Sequence, residues 1–313
     1  MAATNPRRAR PSFQPSPEAM ESRCLLTGGA GNTFAVMTAA VATPNGTTTL
    51  PFILNPASFK APHHHAVVGL DLVAANGSKV VPTIAAVIDS HGRHLHLTRT
   101  KGVQAVTVDL QASSTKSTNY SVVVAATGGT SGSLLLGYYL AGDANGDGKV
   151  DSTDVAAIKA ALNTTSTSST YSFDADTNRD GKVNATDLSL ARRNMGVSTT
   201  VRPDISAKLD PASDTGAADR ITSLSTVHFT GTTTPGAAVS YSEISSRVPT
   251  VATTADATGA YSINLPLAPG TNAFNVSSTD NFGQTISGRI SPVTLSSIVP
   301  PAVAAATTAT KTA

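Results

Sequence analysis

The stretches GDANGDGKVDSTD (142–154) and ADTNRDGKVNATD (175–187) decide how the middle of this chain is read. The whole sequence holds 20 acidic residues, yet four fall within 143–154, and the pattern returns 33 residues later (143 to 176, 154 to 187). A hard cation such as Ca²⁺ takes roughly six to eight oxygens, and a twelve-residue loop supplies them from positions 1, 3, 5, 7, 9 and 12. Glycine at position 6 makes the sharp turn. In the first copy the ligand positions hold Asp143, Asn145, Asp147, Lys149, Asp151 and Asp154, with Gly148 at the turn. In the second they hold Asp176, Asn178, Asp180, Lys182, Asn184 and Asp187, with Gly181 at the turn. The lysines contribute only a backbone carbonyl, so their ammonium groups are free to face solvent. Val150 and Val183 occupy position 8, where an apolar side chain ties a loop to a core. The spacing predicts two calcium ions, one per loop.

Working outward, position 12 is aspartate in both loops, one methylene shorter than the glutamate of an EF-hand. The residues before loop one, LLLGYYLAG, read as a strand and a turn, so that loop is followed but not preceded by a helix. Val155, Ile158 and Leu162, then Leu188, Ala191 and Met195, recur at helical spacing. Two amphipathic helices, each starting at an Asp and the second stopping at Gly196, then pack about a pseudo-twofold axis. Residues 142–198 with these features resemble a type I dockerin, the duplicated calcium module that docks onto cohesin domains. The resemblance implies partner contact through loop positions 10 and 11 and helix positions near 17 and 18. These are Ser152, Thr153, Lys159 and Ala160 in copy one, and Ala185, Thr186, Arg192 and Arg193 in copy two. A unit of about 55 residues has little apolar surface and usually needs a staple. Ions that serve folding alone, with no cohesin-like partner, are therefore the competing reading.

On either side the pattern changes. From 34 to 140, VVGLDLVA (67–74), PTIAAVIDS (82–90), HLHLTR (94–99), AVTVDL (105–110), YSVVVAAT (120–127) and SLLLGYYL (133–140) alternate with turn signals. Such spacing predicts an antiparallel β-sandwich. FAVMTAAVA (34–42) reads as its first strand, with the core of an export signal as the alternative. The ending Y-S-V-V-V then L-L-L-G-Y-Y-L resembles the bacterial pre-peptidase C-terminal-like domain, a non-catalytic jelly roll. From 203 to 298, GTTTPGAAV (231–239), ADATGAYSINLPLAPGTNAFNV (255–276) and STDNFGQ (278–284) resemble bacterial Ig-like repeats of surface adhesins. In the leader, Glu21, Arg23, Leu25 and Leu26 match an E-x-R-x-L-L segment that resembles the start of planctomycete exported proteins. The expected fold class is multi-domain and mainly β. Its order is leader (1–33), β-sandwich (34–140), a small all-α paired loop–helix module (141–198), Ig-like sandwich (203–298) and low-complexity tail (299–313).

The remaining chemistry is sparse. A net charge of +2 provides no field for nucleic acid, and no apolar run is long enough for a membrane-spanning helix. A single cysteine, Cys24, excludes an internal disulfide. His63, His64, His65, His91, His94 and His96 raise a zinc reading, but Leu95 and Leu97 alternate with His94 and His96, as on the solvated face of a strand. Asp210, Asp214 and Asp219 raise a third-ion reading against the simpler one of turn-forming acids. No HExxH, G-x-S-x-G or phosphate-binding glycine loop occurs, and two of the three glutamates, Glu18 and Glu21, lie in the leader. The sequence thus points to a non-catalytic, calcium-binding, exported or cell-surface protein with a cohesin-like partner. The alternative is an accessory, glycan-binding or tethering component of extracellular polysaccharide degradation.

Overall fold

The computed structural model describes residues 32–99, 104–201, 203–215 and 219–296. The E-x-R-x-L-L segment and Cys24 lie outside the described residues. Nine strands come first: β1 (Thr33–Val41), β2 (Thr47–Leu54), β3 (Phe59–Lys60), β4 (His65–Ala74), β5 (Pro82–Asp89), β6 (Leu97–Arg99), β7 (Val106–Gln111), β8 (Thr118–Ala126) and β9 (Gly132–Leu140). They form one sheet in the order β1-β9-β4-β7-β6 and a second in the order β2-β8-β5. Strand β8 shows why: Tyr120, Val122, Val124 and Ala126 alternate inward while their neighbours are less buried, the period-two pattern of a half-buried strand. Facing them are Val68, Leu70, Leu136 and Tyr138 of the other sheet. The Phe52 and Tyr138 rings stack at 4.5 Å between the two.

β2 is absent from the sequence reading because Pro51 interrupts it. Proline lacks the amide that a central strand must donate. β2 pairs only with β8 and sits at the sheet edge, where Pro51 is exposed.

β9 behaves differently from β8. Its seven residues from Leu134 to Leu140 are all buried, which requires cover on both faces. Leu134, Leu136, Tyr138 and Leu140 enter the sandwich core. Leu135 and Tyr139 point the other way and are covered by the two units that follow in the chain.

The first of those units holds α1 (Ser152–Ala160), β10 (Thr164–Thr165), β11 (Lys182–Val183), α2 (Ala185–Arg193) and β12 (Ser198–Thr199). Each helix opens on a capping box: Asp151 and Asn184 are the N-caps, and Asp154 and Asp187 at N3 return a bond to the cap amide. Asp154 and Asp187 thus sit in the first turn, and the cap itself is an aspartate in the first helix and an asparagine in the second. The helices are also shorter than the expected stripes. Leu162 and Met195 fall beyond the helix ends, and Met195 is 36% exposed. Ala161 is buried instead, and on α2 the apolar face includes Leu190, which packs on Val67 and Tyr139 of the sandwich. Burying a leucine contributes roughly 1.5–3 kcal/mol. Val150, Ile158, Val183 and Ala191 belong to the same continuous core as the sandwich, and β12 pairs with β3.

The second unit contains β13 (Lys208–Leu209), β14 (Ile221–Thr222), β15 (Thr226–Thr232), β16 (Ala238–Glu243), β17 (Val251–Thr254), β18 (Ala260–Pro266), β19 (Gly270–Asn272), β20 (Phe274–Thr279), β21 (Thr285–Arg289) and β22 (Val293–Leu295). Its sheets run β13-β15-β18, β17-β16-β20-β21 and β14-β22-β19, over a separate core that includes Phe229, Tyr241, Leu265 and Val276. The turn between β20 and β21 carries Phe282 onto Val36 and Leu135 of the first sandwich. Gly137 lies directly beneath, where an added Cβ would stand 2.9 Å from the Phe282 ring.

Candidate metal centre

In loop one, backbone amides hold the acidic side chains in place. Asp143 accepts from the N–H groups of Asp147 (3.1 Å) and Gly148 (2.9 Å). Asn145 accepts from Asp147 (2.9 Å), and Asp147 from Lys149 (2.9 Å). Asp154 receives N–H groups of Ala144 (3.0 Å) and Asn145 (3.1 Å) on Oδ1 and that of Asp151 (2.8 Å) on Oδ2. The one aspartate thus closes the loop and caps the helix. Gly146 and Gly148 take positive φ of 71° and 76° to make the turn, a conformation that glycine adopts freely.

Loop two repeats this network at the same offset. Asp176 accepts from Asp180 (3.1 Å) and Gly181 (2.7 Å). Asn178 accepts from Asp180 (3.1 Å), and Asp180 from Lys182 (3.0 Å). Asp187 accepts from Asn178 (3.2 Å) and Asn184 (2.8 Å). The Tyr171 hydroxyl adds a bond to Asp176 at 2.7 Å. One turn position changes residue but not conformation: Arg179 stands where loop one has Gly146, and it keeps a positive φ of 59°. That conformation costs a side-chain-bearing residue roughly 1–2 kcal/mol.

The electrostatics of the loops suit a cation. Asp154, Asp176 and Asp187 are fully buried, and Asp143 nearly so. Burial pushes the Asp154 and Asp176 carboxyls above their usual range. It pushes Asp187 up to about 6, against the pull of its amide bonds and reinforced by the charges of Asp176 and Asp180. Buried carboxylates that raise one another in this way gain from a positive ion among them. Each carboxylate oxygen has two lone pairs, so an oxygen that accepts one amide still has a lobe for a metal. The donor set fits calcium: carboxylates, an asparagine amide and the carbonyl of Lys149 or Lys182. Among the described residues no group of three or more His, Cys, Asp and Glu side chains is gathered so as to hold an ion by themselves. A loop site therefore depends on the asparagine and backbone oxygens as well.

That observation also bears on the other candidates. His94 and His96 are exposed while Leu95 and Leu97 pack against the core. Asp210 caps a 3₁₀ turn by accepting from Ala212 (2.9 Å) and binds His228 (3.0 Å). Asp214 accepts from the Arg220 amide, and Asp219 from that of Ile221. These are turn-forming acids.

Ser152, Thr153, Lys159 and Ala160 are exposed in copy one, as are Ala185, Thr186, Arg192 and Arg193 in copy two. Arg193, however, reaches Asp109 on β7 at 2.5 Å, and Asp109 also meets His65 at 3.2 Å. The sequence reading missed the residues that bolt copy two to the sandwich. Asn194 accepts from the Val67 amide (2.7 Å) and donates to the carbonyls of Val67 (2.7 Å) and Ala141 (2.6 Å). The Tyr139 hydroxyl donates to the Thr177 carbonyl at 3.1 Å. A signal for them was present: aligning the two copies at 33 residues pairs Gly146 with Arg179, Ala157 with Leu190 and Ala161 with Asn194.

A duplicated, capped loop–helix unit wedged between a β-sandwich and a second β unit defines a paired loop–helix module in a β-rich chain. Residues 141–195 match the dockerin type I domain, and residues 200–295 match a bacterial Ig-like domain. Type I dockerin domains typically bind calcium. No curated protein matches the chain. Among solved structures, a tetra-tandem repeat in the extending region of a large adhesion protein is similar at 13% identity over 85% of this chain and 50% of that one, with a TM-score of 0.25. The major pilin subunit of Bacillus cereus is similar at 9% identity over 84% of this chain and 66% of that one, with a TM-score of 0.18. A β-glucuronidase of Parabacteroides merdae gives 11% identity over 90% of this chain, 32% of that one and a TM-score of 0.18. The chain spans about half the length of that adhesion-protein structure. Overlaps this slight carry no argument about fold or function.

Proposed function

We propose that each loop holds one Ca²⁺ and that the folded module docks onto a cohesin-like domain, in a non-catalytic protein acting outside the cell. Asp143, Asn145, Asp147, Asp151 and Asp154, with the Lys149 carbonyl, would hold the first ion. Asp176, Asn178, Asp180, Asn184 and Asp187, with the Lys182 carbonyl, would hold the second. The observation that carries this reading is the twofold network of loop side chains, buried at positions 1 and 12 and set by backbone amides at positions 1, 3, 5, 9 and 12. The ion supplies counter-charge to carboxylates that otherwise repel one another. The chain's own residues do the rest: capping boxes start both helices, and Val150 and Val183 seat the loops on the core.

Docking would use the exposed Ser152, Thr153, Lys159 and Ala160, whose copy carries the smaller share of the fastenings to the sandwich. Ala185, Thr186 and Arg192 form the second candidate face, with Arg193 partly engaged by Asp109. The Ig-like block would act in surface adhesion or as a spacer. Calorimetry on the full chain tests the first half, with two calcium-binding steps expected. Capture of a cohesin-like domain in Ca²⁺, lost in chelator and in Thr153→Arg, tests the second. A chain that binds two ions but captures no cohesin-like domain retains the calcium reading and loses the docking one.

A further inference from the structure

The Arg179 guanidinium faces away from its own loop. It donates to the Phe173 carbonyl and to Asn32 Oδ1 (2.6 Å) and approaches Asp174 (3.4 Å). It also stacks on the rings of Phe173 and Tyr139, 3.4 Å and 4.7 Å from their centroids. Asn32 precedes β1, and the Gln284 side chain of the Ig-like block meets it. With the Gln284 amide turned so that its oxygen accepts, it takes the amides of Thr33 (2.8 Å) and Asn32 (3.2 Å). Asp280 opens the same turn, accepting from the amides of Phe282 and Gln284 at 2.9 Å each through Oδ1. Its Oδ2 is buried without a partner, as are Asn32 Nδ2 and Arg179 Nε. Burial pushes the carboxyls of Asp71 on β4 and of Asp280 above their usual range, and the charge of Arg179 pulls both partly back. Three units of the chain therefore meet on one buried arginine, which a calcium-type loop holds in a left-handed conformation. Nothing in the loop's own chemistry asks for it, since copy one has glycine there.

We propose that occupancy of the second loop sets how firmly the Ig-like block is held against the first sandwich, with Arg179 as the positioning residue that couples them. An ordered loop two presents the guanidinium to Asn32. Asn32 and Thr33, so fixed, receive Gln284 while Phe282 seats over Gly137. Loop one has no equivalent of this arginine, so its ion folds the helix pair without gripping the Ig-like block. The inference rests on calcium binding by loop two.

The test uses the full chain with Cys24→Ser, spin-labelled through Thr115→Cys on the sandwich and Ser245→Cys on the Ig-like block. Double electron–electron resonance then reads the distance distribution in Ca²⁺ and in chelator. Chelator is expected to broaden it by roughly twofold, as expected of a locally loosened interface. Asp187→Ala should stay broad in Ca²⁺. Arg179→Gly, which suits the backbone, and Asn32→Ala, which leaves the loop untouched, should both be broad while still giving two calorimetric calcium steps. A distribution as narrow in Arg179→Gly and Asn32→Ala as in the parent overturns the coupling. So does a parent distribution indifferent to Ca²⁺ while both steps are seen. Absence of any calcium heat in the parent overturns the calcium reading itself, and the coupling with it.

Discussion

The two copies of the loop–helix unit share ligand spacing, a position-8 valine and a capping box, and they differ where copy two touches the rest of the molecule. Copy one has Ala144, Gly146, Ala157 and Ala161 where copy two has Thr177, Arg179, Leu190 and Asn194. The shared positions hold the loops and start the helices. Of these four in copy two, Arg179 and Asn194 make side-chain bonds, Leu190 packs on the sandwich, and Thr177 offers its carbonyl to Tyr139. The difference teaches that the ion sites come twice and both copies share the sandwich core, while the side-chain bonds to the sandwich are concentrated in copy two.

The comparison breaks most visibly at the ligands. Asp154→Ala and Asp187→Ala should each remove one calorimetric step, weakening that site by ~100-fold or more, equivalent to about 2.7 kcal/mol. Loop one, with four carboxylates against three, is expected to be the tighter site, and Asp151→Ala should weaken it less than Asp154→Ala. Position 9 often works through water; equal losses for the two would defeat that ranking.

Next come the bolts. Leu190→Ala, which gives copy two the residue of copy one, should lower stability by about 2–4 kcal/mol. Asn194→Ala, which orphans a buried amide and two carbonyls, should cost about 1–3 kcal/mol. Ala157→Gly on the other helix should show only a propensity effect of roughly 1 kcal/mol. Urea midpoints check all three, and equal effects from the two helices would erase the asymmetry.

A smaller effect is expected from Arg193→Ala. Its pair with Asp109 is half exposed, and such pairs contribute about 0–1 kcal/mol. Salt titration of the urea midpoint should show the parent and variant converging at high ionic strength.

The smallest effect calibrates the others from outside both copies. The amide N–H of Arg93 heads the contacts that hold Asp89 down to about 2 from its usual 3.8, against the desolvation that would raise it. A carboxyl lowered in the folded state stabilises above its unfolded value, and that contribution is lost as pH falls through about 2. The difference between parent and Asp89→Asn should therefore be constant above roughly pH 4 and shrink below it. A flat difference down to pH 2 would count against the assigned bonds.

Much of this was legible in the sequence, for local reasons. Oxygen donors at fixed offsets declare a loop wherever it sits, and alternation in YSVVVAAT declares a half-buried strand. LLLGYYL was legible as a strand, but the cover on its outer face was not, since Phe282 and Leu190 arrive from over fifty residues away. β2 was masked by Pro51, whose cost vanishes at an edge. Arg179 and Asn194 were invisible as functional residues because each looks like an ordinary loop or cap residue until its distant partners are in place. Met195 misled in the opposite sense: its spacing is helical, but the helix has already ended.

Asn194 has one more consequence. A recombination event that cut after Leu140 and grafted the loop–helix pair onto another chain would carry an amide tailored to Val67, where β4 runs past the end of β9, with no such strand end to receive it. Inheritance should then favour moving sandwich and module as a block, and the natural breakpoint for shuffling lies near residue 200, past β12.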